Sequence, residues 1–376
     1  MSLKALHDAG QAVWLDFIDR ALLQSGDLAR RINDDVLTGM TSNPTIFEKA
    51  LAHGTLYDAQ IASSTASTPW NLFEEIATDD VRSACDIFRG VYDQTKGADG
   101  FVSIEVSPAT AHDTDSTIAE ARRLWKRVDR PNVMIKVPGT PEGAPAVKQL
   151  TADGINVNIT LLFSVDAHRQ VIDAYIEGLE ARVAAGQPVA SIASVASFFV
   201  SRVDTAIDAR LDAIVKGGGA GAARAGALKG KAAIANAKLA YRLARSKFSG
   251  ARWHALASRG ARMQRPLWAS TSTKNPAYRD VMYVEGLIGP DTVNTLPPAT
   301  IDAFRDHGVV AQTVDRDVDQ AERELADLAA LGISLDEVTA QLLVEGLASF
   351  QKSFDSLLAG LDEKSRALGH ELAATR

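Results

Sequence analysis

A lysine stands inside the apolar run Asn132-Val-Met-Ile-Lys-Val-Pro-Gly-Thr-Pro-Glu-Gly143, which otherwise has the composition of a buried β-strand. Val133, Ile135 and Val137 share one parity, and Met134 and Lys136 the other. A pleated strand therefore turns Lys136 away from the aliphatic packing face. Burying an ammonium is costly, and the usual relief is a depressed pKa and a neutral amine, the form that Schiff-base chemistry on a carbonyl needs. The plain alternative is a lysine at the strand end that snorkels to water.

Other segments repeat the pattern. In Val13-Trp-Leu-Asp-Phe17, Asp16 opposes the face of Val13, Leu15 and Phe17; in Phe101-Val-Ser-Ile-Glu-Val106, Ser103 and Glu105 oppose Val102, Ile104 and Val106. In Ile155-Asn-Val-Asn-Ile-Thr-Leu161, Asn156, Asn158 and Thr160 oppose four aliphatic residues. One buried polar residue is usually a satisfied structural group. Asp16, Glu105, Lys136, Asn158 and Thr160, all on matching parity toward strand C-terminal ends, are better explained by a shared site.

Schiff-base catalysis asks for more than an amine. Loss of water from a carbinolamine needs a proton donor and a held water, work suited to Glu105 with Thr160. Cleaving the adjacent carbon–carbon bond needs a base for a hydroxyl proton, and Asp16 is the candidate. The amides of Asn43 and Asn158 can bind sugar hydroxyls without adding charge beside the lysine. For a substrate phosphate, Pro266-Leu-Trp-Ala-Ser-Thr-Ser-Thr-Lys-Asn-Pro276 offers Ser270 and Lys274, and Ser197-Phe-Phe-Val-Ser-Arg202 offers Ser197 and Arg202. The guanidinium of Arg202 is the strongest of these because it binds phosphate bidentately.

The elements that must position these groups are short apolar strands alternating with helical patterns: Val13–Ile18, Val36–Met40, Phe101–Ser107, Val133–Val137, Ile155–Leu161, Ser191–Ser197, Pro266–Thr271 and Thr292–Leu296. Eight such strands predict a closed (β/α)8 TIM barrel with additional helices, a single domain over residues 1–376. Residues 47–96 read as a helical insertion after the second strand. Residues 203–264 read as a basic, Ala/Gly-rich helical insertion before the seventh, and residues 315–376 as a C-terminal helical extension over the barrel. Gly217-Gly-Gly-Ala-Gly-Ala222 fits a dinucleotide fingerprint in letters only. It follows a helical run rather than a strand, so it reads as a helix cap and linker.

With 46% hydrophobic and 23% charged residues over 376 positions, the chain can bury a large core. The single Cys85 excludes an intramolecular disulfide framework and reads as a small core residue. No Cys/His cluster has metal-ligand spacing, and neither a metal nor an organic cofactor is expected. No apolar run reaches the roughly 20 residues of a membrane span, so a soluble, cytoplasmic protein is expected. A net charge of −7 speaks against nucleic acid as a partner. Yet Lys216 to Arg265 contains no Asp or Glu among many Lys and Arg. The favoured account is a helical insertion whose cations face the acidic C-terminal third; a docking surface for an anionic partner is the alternative. Monomer and homodimer are both compatible.

These residues resemble the transaldolase family. The matching motifs are Thr41-Ser-Asn-Pro-Thr-Ile-Phe47, the Glu105 strand, Val133-Met-Ile-Lys-Val-Pro138, Gly154-Ile-Asn-Val-Asn-Ile-Thr-Leu-Leu-Phe-Ser164 and Ser197-Phe-Phe-Val-Ser-Arg202, in the family's order over most of the chain. The resemblance implies transfer of a dihydroxyacetone unit from sedoheptulose 7-phosphate or fructose 6-phosphate to an aldose phosphate, in the non-oxidative pentose phosphate pathway. It implies Lys136 as the Schiff-base lysine, Asp16 as acid/base, and Glu105 with Thr160 positioning a catalytic water. Asn43, Asn158 and Ser197 would hold the dihydroxyacetone moiety and Phe199 would shape the pocket. Arg202 matches a family arginine. Where better-known members carry a second arginine soon after a serine, this chain has Ser270-Thr-Ser-Thr-Lys274, making Lys274 or Ser272 the counterpart. The basic insertion departs from shorter members and resembles a longer bacterial subgroup. Two other functions fit the same residues: a class I aldolase resembling fructose 6-phosphate aldolase, and a sugar-phosphate-binding barrel without activity.

Overall fold

The structure is a computed structural model that describes residues 2–52, 54–370 and 372–373. Eight strands, β1 (Gln11–Asp16), β2 (Leu37–Thr41), β3 (Phe101–Glu105), β4 (Val133–Pro138), β5 (Val157–Leu162), β6 (Ser194–Phe199), β7 (Arg265–Ala269) and β8 (Thr292–Leu296), pair in chain order, all parallel, and β8 closes onto β1. This is the (β/α)8 barrel with extra helices that the alternation predicts. The strands shift by up to three residues from their sequence-based bounds: β1 starts at Gln11 and stops at Asp16, β3 stops at Glu105, and β6 starts only at Ser194.

Register decides which side chains meet. Glu105 pairs with Lys136, and Lys136 with Asn158, so three polar residues on adjacent strands stand at one level. Asp16 pairs with Thr41 across β1 and β2. Val13, Leu15, Ile104, Ile135, Val137, Val157 and Ile159, of the opposite parity, are buried in the core. The N-terminal end of the barrel is filled. Trp14 lies against Phe101 with ring centroids 6.4 Å apart, and its indole N–H donates to Asp99 Oδ1 at 2.9 Å. Arg265 pairs with the same carboxylate at 3.2 Å.

The segment between β2 and β3 holds three helices, Pro44–Ala52, Asp58–Ser63 and the 26-residue Pro69–Gln94. The segment between β6 and β7 runs through Ser201–Gly217, Ala222–Leu228, Ala232–Lys247 and Ala251–Ala257. The Gly-rich stretch is where the first of these stops: Gly218, at φ +71°, is its C-cap, and no strand precedes it. Seven cations of the insertion form ion pairs within the chain. Arg224, Lys231 and Arg242 pair with Asp327, Glu324 and Glu322 of the acidic helix Val318–Ala330. Lys229, Arg245, Lys247 and Arg252 pair with Asp212, Asp291, Asp173 and Glu180.

The C-terminal helix, Leu335–Ala367, starts where the Ser334 hydroxyl accepts from the Glu337 N–H. Its stripe of Val338, Leu342, Gly346, Phe350, Phe354, Leu357 and Leu361 is buried, so the apolar face runs the length of the helix. It packs on the helices Ser201–Gly217 and Pro44–Ala52 and on β5, and so lies across the C-terminal mouth of the barrel. The approach is tight at Gly346, where a Cβ would stand 3.0 Å from Leu161 Cδ2 and the leucine side chain would have to give. Leu161 itself has φ +59°, at a bulge where β5 slips register against β6 just after Thr160. Among the described residues, no helix is long and apolar enough to cross a membrane.

His168, in the helix Val165–Ala184, is fully buried, both ring nitrogens lack hydrogen-bond partners among the described residues, and the ring lies tilted against Phe198, centroids 5.8 Å apart. Burial lowers its pKa from 6.5 to about 4. Below pH 6.5 the unfolded chain takes up a proton that the folded chain refuses, so stability falls from pH 6.5 to about 4. At roughly 1.4 kcal/mol per pH unit the loss amounts to about 3 kcal/mol. Replacing His168 by Phe is expected to remove that slope. Urea unfolding of both proteins across this range measures it, and parallel pH dependences would show that the imidazole is not its source.

Candidate active site

Strand register brings Lys136 and Glu105 into contact. Nζ lies 3.0 Å from Glu105 Oε2, with the two side chains only 7% and 4% exposed. The ammonium also donates to the backbone carbonyl of Ser42 at 3.1 Å, and the Phe350 ring of the C-terminal helix stands 5.8 Å away. The Lys136–Glu105 contact lies outside hydrogen-bond angles, so Glu105 Oε2 keeps an unfilled acceptor direction. Thr160 Oγ1, also buried, is likewise without a partner among the described residues. Removing these charges from water is unfavourable unless each offsets the other. Burial raises the Glu105 pKa, opposed by the charge of Lys136 and reinforced by that of Asp16.

Asp16 ends β1 on the same cavity. Burial raises its pKa, against the Lys136 charge, the Thr41 hydroxyl and the Lys274 charge. Thr41 Oγ1 donates to Asp16 Oδ1 at 2.8 Å and lies 2.7 Å from Thr295 Oγ1. With the Thr41 proton committed to the carboxylate, Thr295 is the donor to Thr41, giving a hydroxyl chain that ends on Asp16.

The cavity at the barrel mouth measures about 320 Å³. Of the residues expected at the site, Asp16, Asn43, Lys136, Thr160, Ser197, Phe199, Arg202, Ser270 and Lys274 line it. Glu105 and Asn158 do not. Glu105 stands behind Lys136, whereas Asn158 is fully buried and committed to the chain: its Nδ2 donates to Ser103 Oγ at 3.0 Å and its Oδ1 accepts from Ser197 Oγ at 2.7 Å. Asn158 thus orients Ser197 instead of forming the cavity wall itself. Asn43 Oδ1 accepts from the Ile46 N–H at 3.0 Å, capping the helix Pro44–Ala52 and leaving its NH2 group for the cavity.

Cations gather at the outer end. Arg202 lies over the Phe199 ring at 5.3 Å; burial lowers its pKa, and no carboxylate of the described residues pairs with it. Lys274 donates to Ser272 Oγ at 2.9 Å and is exposed. Ser270, at φ +56°, has its hydroxyl 3.0 Å from that of Ser201, and its carbonyl accepts from the Ser201 N–H. This backbone pairing joins the loop after β7 to the helix that carries Arg202.

Thr41, Thr45, Lys49, Ser272, Thr295 and Phe350 also line the cavity. Thr41 and Ser272 sit inside motifs already singled out, next to Asn43 and Lys274. Thr295 was hidden because β8 carries polar residues on both faces: Asn294 Oδ1 accepts from Thr271 and its Nδ2 approaches Gln11. Nothing local marks Phe350, one apolar residue in a regular helical stripe.

A sequence model of the transaldolase/fructose-6-phosphate aldolase family matches residues 13–361. The transaldolase of Trichodesmium erythraeum is 49% identical over 372 residues, covering 97% of this chain and 98% of that protein. The transaldolase of Mycolicibacterium smegmatis is 49% identical over 361 residues, 95% of each, and that of Frankia alni 48% over 365 residues, 96% of this chain and 97% of that one. Similarity at this level runs through every strand of the barrel and through the helices added to it, and the chain is an enzyme of the transaldolase family.

Proposed function

We propose that the chain transfers a dihydroxyacetone unit from sedoheptulose 7-phosphate or fructose 6-phosphate to an aldose phosphate through a Schiff base on Lys136. The observation that carries this reading is a buried lysine 3.0 Å from a carboxylate, on a cavity that also holds Asp16. Proton transfer between the two, once a side-chain rotation brings them into line, leaves a neutral amine and a neutral acid, and burial assists it by raising the Glu105 pKa. The amine attacks the ketose carbonyl carbon to give a carbinolamine. Its hydroxyl leaves as water after taking a proton from Glu105, directly or through a water held by Glu105 Oε2 and Thr160 Oγ1, and an iminium remains.

Asp16 then accepts the proton of the hydroxyl on the far carbon of the bond to be broken. As that carbon becomes an aldehyde, the carbon–carbon electron pair moves into the iminium and forms an enamine. The first aldose phosphate leaves. Attack of the enamine on the second aldehyde reverses the flow, Asp16 returning its proton to the new alkoxide. Water then adds to the iminium, and its collapse frees the ketose and Lys136. A carboxyl raised by burial is better matched to both directions of this transfer near neutral pH than an ordinary aspartate. The NH2 group of Asn43 and the Ser197 hydroxyl suit the hydroxyls of the three-carbon unit. Arg202, Ser270 and Lys274 suit the phosphate.

Borohydride added with fructose 6-phosphate is expected to fix a dihydroxyacetone-derived adduct on Lys136, visible by peptide mass spectrometry and abolished in Lys136→Met. A wild-type protein that gives no adduct there sinks the reading. Turnover of fructose 6-phosphate should also depend on added erythrose 4-phosphate; release of free dihydroxyacetone without an acceptor indicates a simple aldolase instead.

Asp16→Asn should lower kcat/KM by roughly 10²–10⁴-fold, the usual scale for a positioned acid/base. The Thr41 hydroxyl stabilises ionised Asp16, so Thr41→Val raises the Asp16 pKa further and moves the acid limb of the kcat/KM profile to higher pH. An acid limb that stays in place would remove Asp16 from the base role.

A further inference from the structure

Asp204 and Asp208 stand one turn apart on the helix Ser201–Gly217, both buried, and use their oxygens alike. Asp204 Oδ1 accepts from the backbone N–H of Ala233 at 2.8 Å, and its Oδ2 from the Tyr283 hydroxyl at 2.9 Å. Asp208 Oδ1 accepts from the Gly230 N–H at 3.0 Å, and its Oδ2 from the Tyr278 hydroxyl at 2.6 Å. Each carboxylate therefore joins three parts of the chain. These are the helix whose first turn carries Arg202, the turn into the insertion helix Ala232–Lys247, and the connection from β7 to β8.

The turn is shaped to this contact. Gly230 has φ +71°, and a Cβ there would lie 2.8 Å from Tyr278 Cζ. Beyond β7 the chain is folded on itself: Thr273 Oγ1 donates to the carbonyls of Arg279 and Asp280, both at 3.0 Å, and the Tyr278 N–H to that of Asn275 at 3.1 Å. So compact a loop moves as a body, and Tyr278, four residues after Lys274, ties it to the barrel. Lys274 lines the catalytic cavity and also a neighbouring cavity of about 250 Å³ walled by Asp204, Asp208, Asp212, Tyr278 and Tyr283. Asp212 is engaged by Lys229 of the insertion at 2.6 Å.

We propose that Tyr278 and Tyr283 are positioning residues for the phosphate end of the site, fixing Lys274 relative to Arg202 through Asp208 and Asp204, and that the basic insertion serves this latch by supplying the backbone donors that hold both carboxylates. The inference rests on the reading that substrate phosphate docks between Arg202 and Lys274. It gives the insertion a role in phosphate affinity and none in the carbon–carbon chemistry.

Calorimetric titration of inorganic phosphate tests it, in wild type, Tyr278→Phe, Lys274→Ala and the double variant, at pH 8.5. Burial raises the Asp204 pKa to about 7, so this carboxyl is ionised there. Tyr278→Phe keeps the ring and loses one hydrogen bond to a charged acceptor, and should weaken phosphate binding about tenfold. The same change in the Lys274→Ala background should add nothing, because the latch acts through Lys274. Asp208→Asn, with no carboxylate facing Tyr278, should reproduce the loss.

Unchanged phosphate affinity in Tyr278→Phe overturns the proposal. So does an equal further loss in the Lys274→Ala background, or wild-type binding no tighter than that of Lys274→Ala. Borohydride trapping of unphosphorylated dihydroxyacetone on Lys136 should proceed equally in wild type and Tyr278→Phe. Slower trapping in Tyr278→Phe would show a general loosening of the barrel and would overturn the latch. Failure of trapping in wild type alongside the expected phosphate results would remove the Schiff-base reading and leave the latch standing.

Discussion

Lys136 and Glu105 carry opposite charges into a place that water barely reaches, and the architecture around them follows from making that tolerable. Each ion loses several kcal/mol of hydration on burial, and their attraction offsets this only when the geometry is held. The holding is done by backbone: β3 and β4 place the two residues at one level, and the Ser42 carbonyl fixes the ammonium from a third side. A surface pair would be held by two flexible side chains and would contribute little. Here both residues are anchored on paired strands.

Keeping the pair dry calls for a cover that the barrel lacks. The strands end at the mouth, so a lysine near their C-terminal ends faces solvent unless something lies across it. The helix Leu335–Ala367 does so, placing Phe350 over Lys136 and wedging Phe354 among Trp70 and Phe73. Fully burying a phenylalanine is worth roughly 1.5–3 kcal/mol, so this row both anchors the helix and lowers the local dielectric in which the charges act. The bulge at Leu161 belongs to the same arrangement. It leaves Thr160 on the cavity while Leu161 packs against the backbone at Gly346.

What could be seen in the chain beforehand is what obeys a period of two. Toward the C-terminal ends of β1, β3, β4 and β5 the outward residues are aliphatic while Asp16, Glu105, Lys136 and Thr160 take the other face, so these four declare their side. On β8 the outward Asn294 is polar too, satisfied by Thr271 and Gln11, and Thr295 loses its contrast. Parity also gives a face without giving depth. Asn158 and Ser197 both point inward, but only the side-chain network shows that one lies behind the other. Phe350 comes from an element far along the chain, and a periodic stripe states that a face is buried without stating against what. The segments 47–96 and 203–264 are helical, though the helix Pro44–Ala52 begins ahead of the first, and the β2–β3 and β6–β7 segments include long helices such as Pro69–Gln94 and Ser201–Gly217 that link successive strands of the barrel itself.

The two ends of the cavity are held by different physics, and this separates their functions. At the bottom, Lys136, Glu105 and Asp16 sit on strands whose relative positions are set by the ladder of backbone hydrogen bonds, so a substitution elsewhere scarcely moves them. At the mouth, Ser270 and Lys274 ride on a loop and Arg202 on the first turn of a helix. The register between the two comes from the Ser201–Ser270 backbone pairing and from side chains that bridge separate segments. Such bridges are single hydrogen bonds, individually worth about 1–3 kcal/mol when one partner is charged. On the reading proposed for this site, the loop and the insertion would retune affinity for a phosphate at the mouth, while the placement of Lys136 is set by the sheet.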